Sequence, residues 1–155
     1  MPPRVINNLA EFESLVGQEI GVSEYLTITQ ERINNFADAT LDHQWIHIDQ
    51  ERANSEAPFG GTIAHGYLLV SLLPFFWEQI ADVRNVKMMV NYGIEEFRFQ
   101  EPVRVNSQVR VRVYLDSLTN LRGIIKTRMK AVLEIKDSPR PAFTGYIVFL
   151  YHFND

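Results

Sequence analysis

Residues 58–80 read PFGGTIAHGYLLVSLLPFFWEQI, and the apolar run within this stretch decides the fold. Apolar side chains would lie on every side of a helix over residues 67–77: Tyr67, Leu68, Leu69, Val70, Leu72, Leu73, Phe75, Phe76 and Trp77. A helix that is hydrophobic all round must be enclosed by other elements. Pro74 removes one backbone hydrogen bond, so we expect a bend there. The stretch therefore predicts a central, buried helix.

A membrane-spanning helix is the competing interpretation, because residues 57–77 contain no Asp, Glu, Lys or Arg. Gly60, Gly61, His65 and Gly66 interrupt the first third of this stretch. The apolar run that follows them is shorter than the roughly 20 residues that a membrane span needs. We therefore predict a core helix and no membrane span.

The chain after Val86 alternates apolar and polar residues, which is typical of antiparallel strands with one solvated face. The pattern predicts strands over residues 86–93, 94–100, 103–115, 123–135 and 143–153. The earlier sequence predicts a strand over 22–28, a helix over 30–39 with Thr29 as its N-cap, and a short helix over 49–56. Long strands and one wholly apolar helix indicate an α+β domain in which the sheet curls around the helix.

The composition indicates one soluble globular domain over residues 1–155, with 46% hydrophobic and 22% charged residues. A net charge of −4 argues against nucleic acid as the main partner. The sequence contains no cysteine, which excludes disulfides, thiolate metal sites and cysteine nucleophiles. This absence is typical of a cytoplasmic location, and the first residues lack the apolar core of a signal peptide.

The first candidate for chemistry is a pair in residues 39–49, ATLDHQWIHID, where Asp42 and His47 are five positions apart. Side chains at that spacing point in different directions on a helix and to opposite faces of a strand. If they meet, the chain between them must form an irregular turn. A carboxylate and an imidazole in contact can hold one water and move its proton. Trp45 and Ile46 would then help to wall that water from solvent.

The second candidate is the glycine-rich segment before the apolar helix, GGTIAHG at residues 60–66. Free N–H groups at a helix start stabilise negative charge that develops on a carbonyl oxygen. With an oriented water, they suit the addition or removal of water beside a carbonyl. The competing interpretation is structural: Asp42 caps a turn, His47 satisfies a backbone carbonyl, and the glycines only permit close packing. His65 is expected to support the site rather than to act as a catalyst.

LDHQWIHID followed by IAHGYLLVSL resembles the motif of the MaoC-like dehydratases, also called (R)-specific enoyl-CoA hydratases. The resemblance is closest to their nodulation-protein-N-like branch. The motif positions are filled here by Asp42, His47, Ile48-Asp49 and Ala64-His65-Gly66. Similarity continues through FADAT before the motif and NYGIEEFRFQEPV after it, so it covers most of the chain. It implies the hot-dog fold, an antiparallel sheet wrapped around a long central helix.

The resemblance also implies a reaction, the hydration of a trans-2-enoyl thioester to the (3R)-hydroxyacyl thioester or the reverse. Asp42 and His47 would activate the water, and the N–H of Gly66 would receive the thioester oxygen. His65 and Gly61 would complete the substrate-binding segment. No metal or redox cofactor is implied, because coenzyme A or an acyl carrier protein arrives as part of the substrate. The resemblance further implies at least a homodimer.

Two positions depart from the family pattern. Leu41 stands where a glycine usually precedes the catalytic aspartate, and Gln44-Trp45 replaces a common Asn-Pro. If position 41 needs a positive φ, leucine is strained there. The Gln-Trp pair bears on the substrate of the subgroup more than on its chemistry.

Two other functions stay open. Hot-dog domains also cleave acyl thioesters, but that reaction needs a carboxylate on the central helix or a nearby loop, and residues 62–77 contain none. A non-catalytic acyl-thioester-binding protein is the second alternative.

A group of basic residues shares one face of two predicted strands: Arg110, Arg112, Lys126, Arg128 and Lys130. It is interpreted either as a contact for the phosphates of coenzyme A or, preferably, as an ordinary solvated face.

Overall fold

The computed structural model describes residues 2–154 and separates a mostly helical first half from a β-rich second half. The first half contains β1 (Arg4–Ile6), α1 (Leu9–Glu13), β2 (Glu19–Val22), β3 (Leu26–Thr27), α2 (Gln30–Thr40), α3 (Trp45–Ile48), α4 (Gln50–Glu56), α5 (Gly66–Ser71) and α6 (Leu73–Ile80). The second half contains β4 (Ala81–Val83), β5 (Val86–Phe99), β6 (Gln108–Leu121), β7 (Ile124–Ile135) and β8 (Phe143–Phe153).

Six strands form one antiparallel sheet in the order β2-β6-β7-β8-β5, and β3 also pairs with β6. β1 and β4 form a separate parallel pair. The alternation seen in the sequence fixes which face of the sheet is buried. Val109, Val111 and Val113 on β6 are at most 1% exposed, whereas the residues between them are half-buried on the outer face. Thr127 also faces inward, and its hydroxyl donates to the carbonyl of Phe149 at 3.0 Å.

The apolar stretch forms two consecutive helices, α5 and α6, rather than one bent helix. The break falls at Leu72, and Pro74 lies in the first turn of α6, where a missing N–H costs no helical bond. The inward side chains join one core with the sheet: Leu68, Leu69, Leu73, Phe76, Trp77 and Ile80. Tyr67 and Phe75 are 75% and 46% exposed, so the prediction of burial on every side is wrong for these two.

An antiparallel sheet curled over central helices is the hot-dog fold, and the predicted α+β class is confirmed. Within residues 2–154, no helix is long and apolar enough to cross a membrane.

The local predictions were accurate for α2 and less so at strand boundaries. Thr29 caps α2, because its hydroxyl accepts from the N–H of Arg32 at 3.2 Å. Residues 22–28 are not one strand, since β2 and β3 are separated by residues 23–25. The predicted break between residues 93 and 94 is wrong, because β5 is continuous from Val86 to Phe99. The strand predicted from residue 103 begins only at Gln108. The short elements β1, α1 and β4 were not predicted.

A bulge interrupts the pairing of β5 with β8 near the end of β5, where Phe99 lies against Gly66 of α5. Glu95 pairs with Tyr146 and Arg98 pairs with Thr144, so two residues of β5 lie opposite the single residue Gly145. Glu96 in this bulge has φ +45°. Bulges bend a strand and redirect its side chains.

Candidate active site

The turn that carries Asp42 begins where α2 ends. Leu41 has φ +67° and ψ +18°, the left-handed conformation, and its N–H donates to the carbonyl of Ala37 at 2.8 Å. Glycine is the usual residue at such a helix end. The Leu41 side chain is 79% exposed, so no packing offsets the strain of a left-handed leucine.

Leu41→Gly is therefore expected to increase the free energy of unfolding by about 1 kcal/mol, because the left-handed conformation penalises a residue with a Cβ. Urea unfolding measures the change. Thr40→Gly is the control: it lies in the last helical turn and should lower stability by roughly 0.5–1 kcal/mol. A loss of stability in Leu41→Gly would contradict the strain at this position.

His47 lies on the short helix α3, not in the irregular turn itself, which spans residues 41–44. Its ring is buried, and Nδ1 is 2.8 Å from the carbonyl oxygen of Ile63. A carbonyl can only accept, so Nδ1 carries the hydrogen and Nε2 keeps its lone pair. The N–H of Ile63 donates in turn to the carbonyl of Ile46 at 3.0 Å. These two bonds fix His47 as a base with Nε2 free.

The half-buried Gln30 holds the backbone of His47 and is held in turn by the buried Thr62, and sequence reasoning missed both residues. The side-chain amide of Gln30 donates to the carbonyl of His47 at 2.7 Å. The hydroxyl of Thr62 donates to the amide oxygen of Gln30 at 2.6 Å. Gln30 is 17 residues from His47 and 32 from Thr62, so no local pattern signalled these bonds.

His65 joins the two catalytic candidates. Its Nε2 lies 3.0 Å from the backbone carbonyl of Asp42, and its ring stacks on His47 with centroids 3.9 Å apart. The side chain is almost completely buried.

A cavity of about 430 Å³ opens beside this group. It is lined by residues of the Asp42 turn, of α3, of the segment before α5, and of the chain after β5: Asp42, His47, Phe59, Ile63, Ala64, His65, Gly66, Tyr67, Leu69, Phe99, Gln100, Glu101, Pro102 and Val103. Four of the five predicted site residues therefore meet here, namely Asp42, His47, His65 and Gly66.

The fifth predicted residue, Gly61, is not among those that line the cavity within residues 2–154. It is buried in the turn after α4, where an added Cβ would lie 3.4 Å from the side chain of Asn54. Trp45 and Ile46 do not line the cavity either, so the expectation that they wall the water is wrong. Trp45 instead packs under the guanidinium of Arg52, 4.1 Å from its ring centroid.

The surroundings of His47 keep its ring neutral near pH 7. Burial is the largest effect and lowers the pKa of His47 below its ordinary value, and the neighbouring His65 lowers it further. The Ile63 carbonyl and the Asp42 carboxylate act in the opposite direction. The balance favours the free base, as the proposed acceptor of a proton requires.

Asp42, His47 and His65 are also residue types that bind metal ions. One oxygen of Asp42 and one ring nitrogen each of His47 and His65 lie within 4.8 Å of one another. A metal lies in the plane of an imidazole that binds it, about 2 Å from the nitrogen. The two rings are only 22° from parallel, so their lone pairs do not converge at that distance. This arrangement does not fit an ion held by both histidines.

The basic residues of β6 and β7 lie on the outer face of the sheet and are not among the cavity-lining residues. Their guanidinium groups are paired with carboxylates: Arg110 and Arg112 contact Glu134, and Arg128 contacts Glu95, Glu96 and Asp116. This pairing favours the interpretation as an ordinary solvated face.

Comparison with known proteins shows which family this chain resembles. The sequence model of the family described as the MaoC like domain matches residues 11–135 of the chain. The 3-hydroxyacyl-thioester dehydratase Z of Mycobacterium tuberculosis is 40% identical over 149 residues, covering 96% of this chain and 98% of that protein. Nodulation protein N of Rhizobium meliloti is 42% identical over 149 residues, covering 95% and 92%. An unliganded (R)-hydratase of Pseudomonas aeruginosa superposes with a TM-score of 0.73 over 90% of this chain and 83% of that one; at 19% identity this likeness shows the fold.

Proposed function

The chain belongs to the MaoC-like domain family, and from this premise we propose that it hydrates a trans-2-enoyl thioester to the (3R)-hydroxyacyl thioester, or catalyses the reverse dehydration. One observation carries the proposal: Asp42, His47 and Gly66, the first residue of α5, line one cavity. The dehydratase named among the relatives supports this reaction class.

In the proposed hydration, one water lies between the Asp42 carboxylate and Nε2 of His47. One ring nitrogen of His47 lies within 4.8 Å of a carboxylate oxygen of Asp42, and a single water can bridge groups this far apart because each of its hydrogen bonds spans about 2.8 Å. His47 takes a proton as the water oxygen bonds to C3, and the double-bond electrons move towards the thioester oxygen. The proton then passes from the Asp42–His47 pair to C2, so one water is added across the double bond.

The N–H of Gly66 is the proposed donor to the thioester oxygen. Gly66 is the first residue of α5, where an N–H has no partner within the helix. Since α5 has only six residues, we assign this role to the local donor rather than to a helix dipole. The Phe99 ring lies against Gly66, and an added Cβ would come within 2.8 Å of it.

The direct test is hydration of crotonyl-CoA and longer enoyl-CoA substrates, followed by loss of enoyl absorbance with chiral analysis of the product. A (3R)-hydroxy product that disappears in a His47 variant is expected. Release of free thiol without hydration would contradict the proposal and would indicate a thioesterase. The absence of both activities would favour a non-catalytic acyl-thioester-binding protein.

Within the described residues 2–154, one carboxylate besides Asp42 lines the cavity and is a candidate for the thioesterase alternative. This is Glu101, whose side chain forms an ion pair of 3.1 Å with Arg140. A carboxylate engaged by an arginine is less available to direct a water. The hydratase reaction is therefore the better supported of the two.

The rate is expected to depend on pH through His47. Because only the unprotonated ring accepts a proton, kcat/KM should rise with pH through the pKa of His47 and then level off. Burial lowers that pKa, so the midpoint of the rise should lie below the usual histidine value of about 6.5. Asp42 and His65 are the ionisable groups that act on this ring. A profile of kcat/KM between pH 4.5 and 8 measures the rise, and a midpoint above 7 would contradict the assignment of the base.

We propose that two copies of this chain associate through β5. This strand is the edge of the sheet, and it carries exposed hydrophobic residues: Met88, Val90, Tyr92, Ile94 and Phe99. A second cavity of about 410 Å³ lies between the middle of β5 and the junction of α5 and α6. Long apolar edges invite pairing with another strand. If the β5 strands of two copies paired antiparallel, the sheet would extend across both copies. The pairing would cover the exposed hydrophobic residues of β5 and the second cavity.

Ile94→Lys is expected to convert a dimer into a monomer, because Ile94 is 53% exposed and lines the second cavity with Val70 and Pro74. Size-exclusion chromatography with light scattering measures the mass. The control is Leu121→Lys, which changes another exposed hydrophobic residue at the end of β6, a strand that β7 and β8 separate from β5 in the sheet. A wild-type monomer, or a variant that stays dimeric, would contradict this interface.

We also propose that the reaction needs no metal or redox cofactor and that coenzyme A or an acyl carrier protein enters with the substrate.

One continuous core from Ile6 to Tyr151 supports the prediction of a single domain over residues 1–155. A cytoplasmic location stays a prediction from the cysteine-free sequence.

A further inference from the structure

We propose that His65 is a positioning residue, whose Nε2–H holds the backbone of Asp42 so that its carboxylate and His47 share one water. The effect of His65 on catalysis rests on the proposed function, whereas the hydrogen bond itself does not.

The hydrogen bond to Asp42 is the first observation. Nε2 of His65 lies 3.0 Å from the Asp42 carbonyl oxygen, which can only accept, so this nitrogen carries the hydrogen. The Asp42 side chain is 51% exposed; its Oδ1 accepts from the N–H of Gln44 at a long 3.4 Å, and its Oδ2 lies 4.0 Å from Nε2 of His65. The preceding residue Leu41 is in the strained left-handed conformation. The His65 bond therefore ties the backbone of Asp42 to the buried side of the cavity, whereas the bond from Leu41 to Ala37 and the contact of His43 with Asp38 hold the turn to α2.

The stacking of His65 is the second observation. Its ring lies between Phe36, with centroids 4.9 Å apart, and His47, with centroids 3.9 Å apart. His65 thus contacts the backbone of Asp42 and the ring of His47 at the same time. A shift of His65 would change the separation of the two groups that are proposed to bind the water.

The unpaired nitrogen of His65 is the third observation. Within residues 2–154, Nδ1 is the single buried side-chain polar atom without a hydrogen-bond partner. An unpaired buried nitrogen lowers stability. Phenylalanine would fill the space between the same rings without this cost, so packing alone does not favour histidine here. The gain from histidine is the Nε2–H bond to Asp42.

Two variants of His65 distinguish the effect of its hydrogen bond to Asp42 from the effect of its ring packing. His65→Phe keeps an aromatic ring but has no donor, and we expect kcat to fall about 10- to 100-fold with KM changed by less than about threefold. The thermal midpoint should stay the same or rise. His65→Gln loses the ring but keeps an N–H near the position of Nε2, so its kcat should exceed that of the Phe variant. The proposal is overturned if the Phe variant is as active as the wild type, or if it is more active than a Gln variant that is equally well folded.

An NMR measurement tests the bond without any turnover. Long-range ¹H–¹⁵N correlations distinguish the two neutral forms of histidine, and the chain has four histidines to assign by single substitutions. We expect hydrogen on Nε2 in His65 and on Nδ1 in His47. Hydrogen on Nδ1 of His65 would overturn the proposal. If both histidines carry hydrogen as expected but no enoyl thioester is hydrated, the proposed function is overturned. The hydrogen bond from His65 to Asp42 is then still supported.

Discussion

His47→Asn is expected to lower kcat for enoyl-thioester hydration by about 10²- to 10⁴-fold, the range that a general base contributes. The asparagine amide can still donate to the carbonyl of Ile63, as Nδ1 of His47 does at 2.8 Å. It has no counterpart of Nε2, so the base is lost while the local bond is kept. Loss of enoyl absorbance measures kcat, and thermal unfolding checks the fold.

The control for this variant is His43→Asn, the same substitution in the neighbouring turn. His43 is 45% exposed and pairs with Asp38 rather than with the cavity, so its kcat should stay within about threefold of wild type. His47→Ala is a less clean variant, because it leaves the Ile63 carbonyl unpaired at a cost of about 1–3 kcal/mol. A His47→Asn protein with more than a tenth of wild-type kcat would remove His47 from the mechanism.

Asp42→Asn is expected to reduce kcat over a similar range with little change in stability. Its carboxylate is half exposed, so the amide is solvated equally well in the folded chain. Without the nearby carboxylate charge, the pKa of His47 should fall further, since Asp42 is one of the groups that raise it. An NMR titration of His47 measures this shift independently of activity.

Gly145→Ala is expected to lower the free energy of unfolding by about 3 kcal/mol, the upper end of the cost of overpacking. Gly145 lies opposite the bulge of β5, and an added Cβ would lie 2.8 Å from Cα of Phe97. That neighbour is backbone of a hydrogen-bonded strand, so it cannot move aside cheaply. Urea unfolding measures the change.

Gly93→Ala is the control for Gly145→Ala, because it makes the same substitution in the same strand pair. An added Cβ at Gly93 meets no atom within 4 Å, so stability should change by less than about 1 kcal/mol. Gly145→Ala should also lower kcat, since Phe97 contacts Phe99 with ring centroids 5.1 Å apart and Phe99 lies against Gly66. Equal stability of the two variants would contradict a packing role for the bulge.

The sequence by itself determined the sheet, the helix α2 and the pair Asp42 and His47. Alternation of apolar residues encodes which face of a strand is buried, and this information is contained in the strand itself. The N-cap Thr29 likewise acts on residues within one turn. The motif around Asp42 identified the family before any distance was known.

Only the tertiary structure decided how the site is held and how the edge of the sheet is shaped. The bonds from Gln30 to His47 and from His65 to Asp42 join residues 17 and 23 positions apart. The bulge opposite Gly145 depends on pairing between strands that are distant in the chain. A periodic pattern states whether a side chain is buried but not which remote group it meets. That choice is made by packing, because a buried polar group must find its partner wherever the fold brings one within reach.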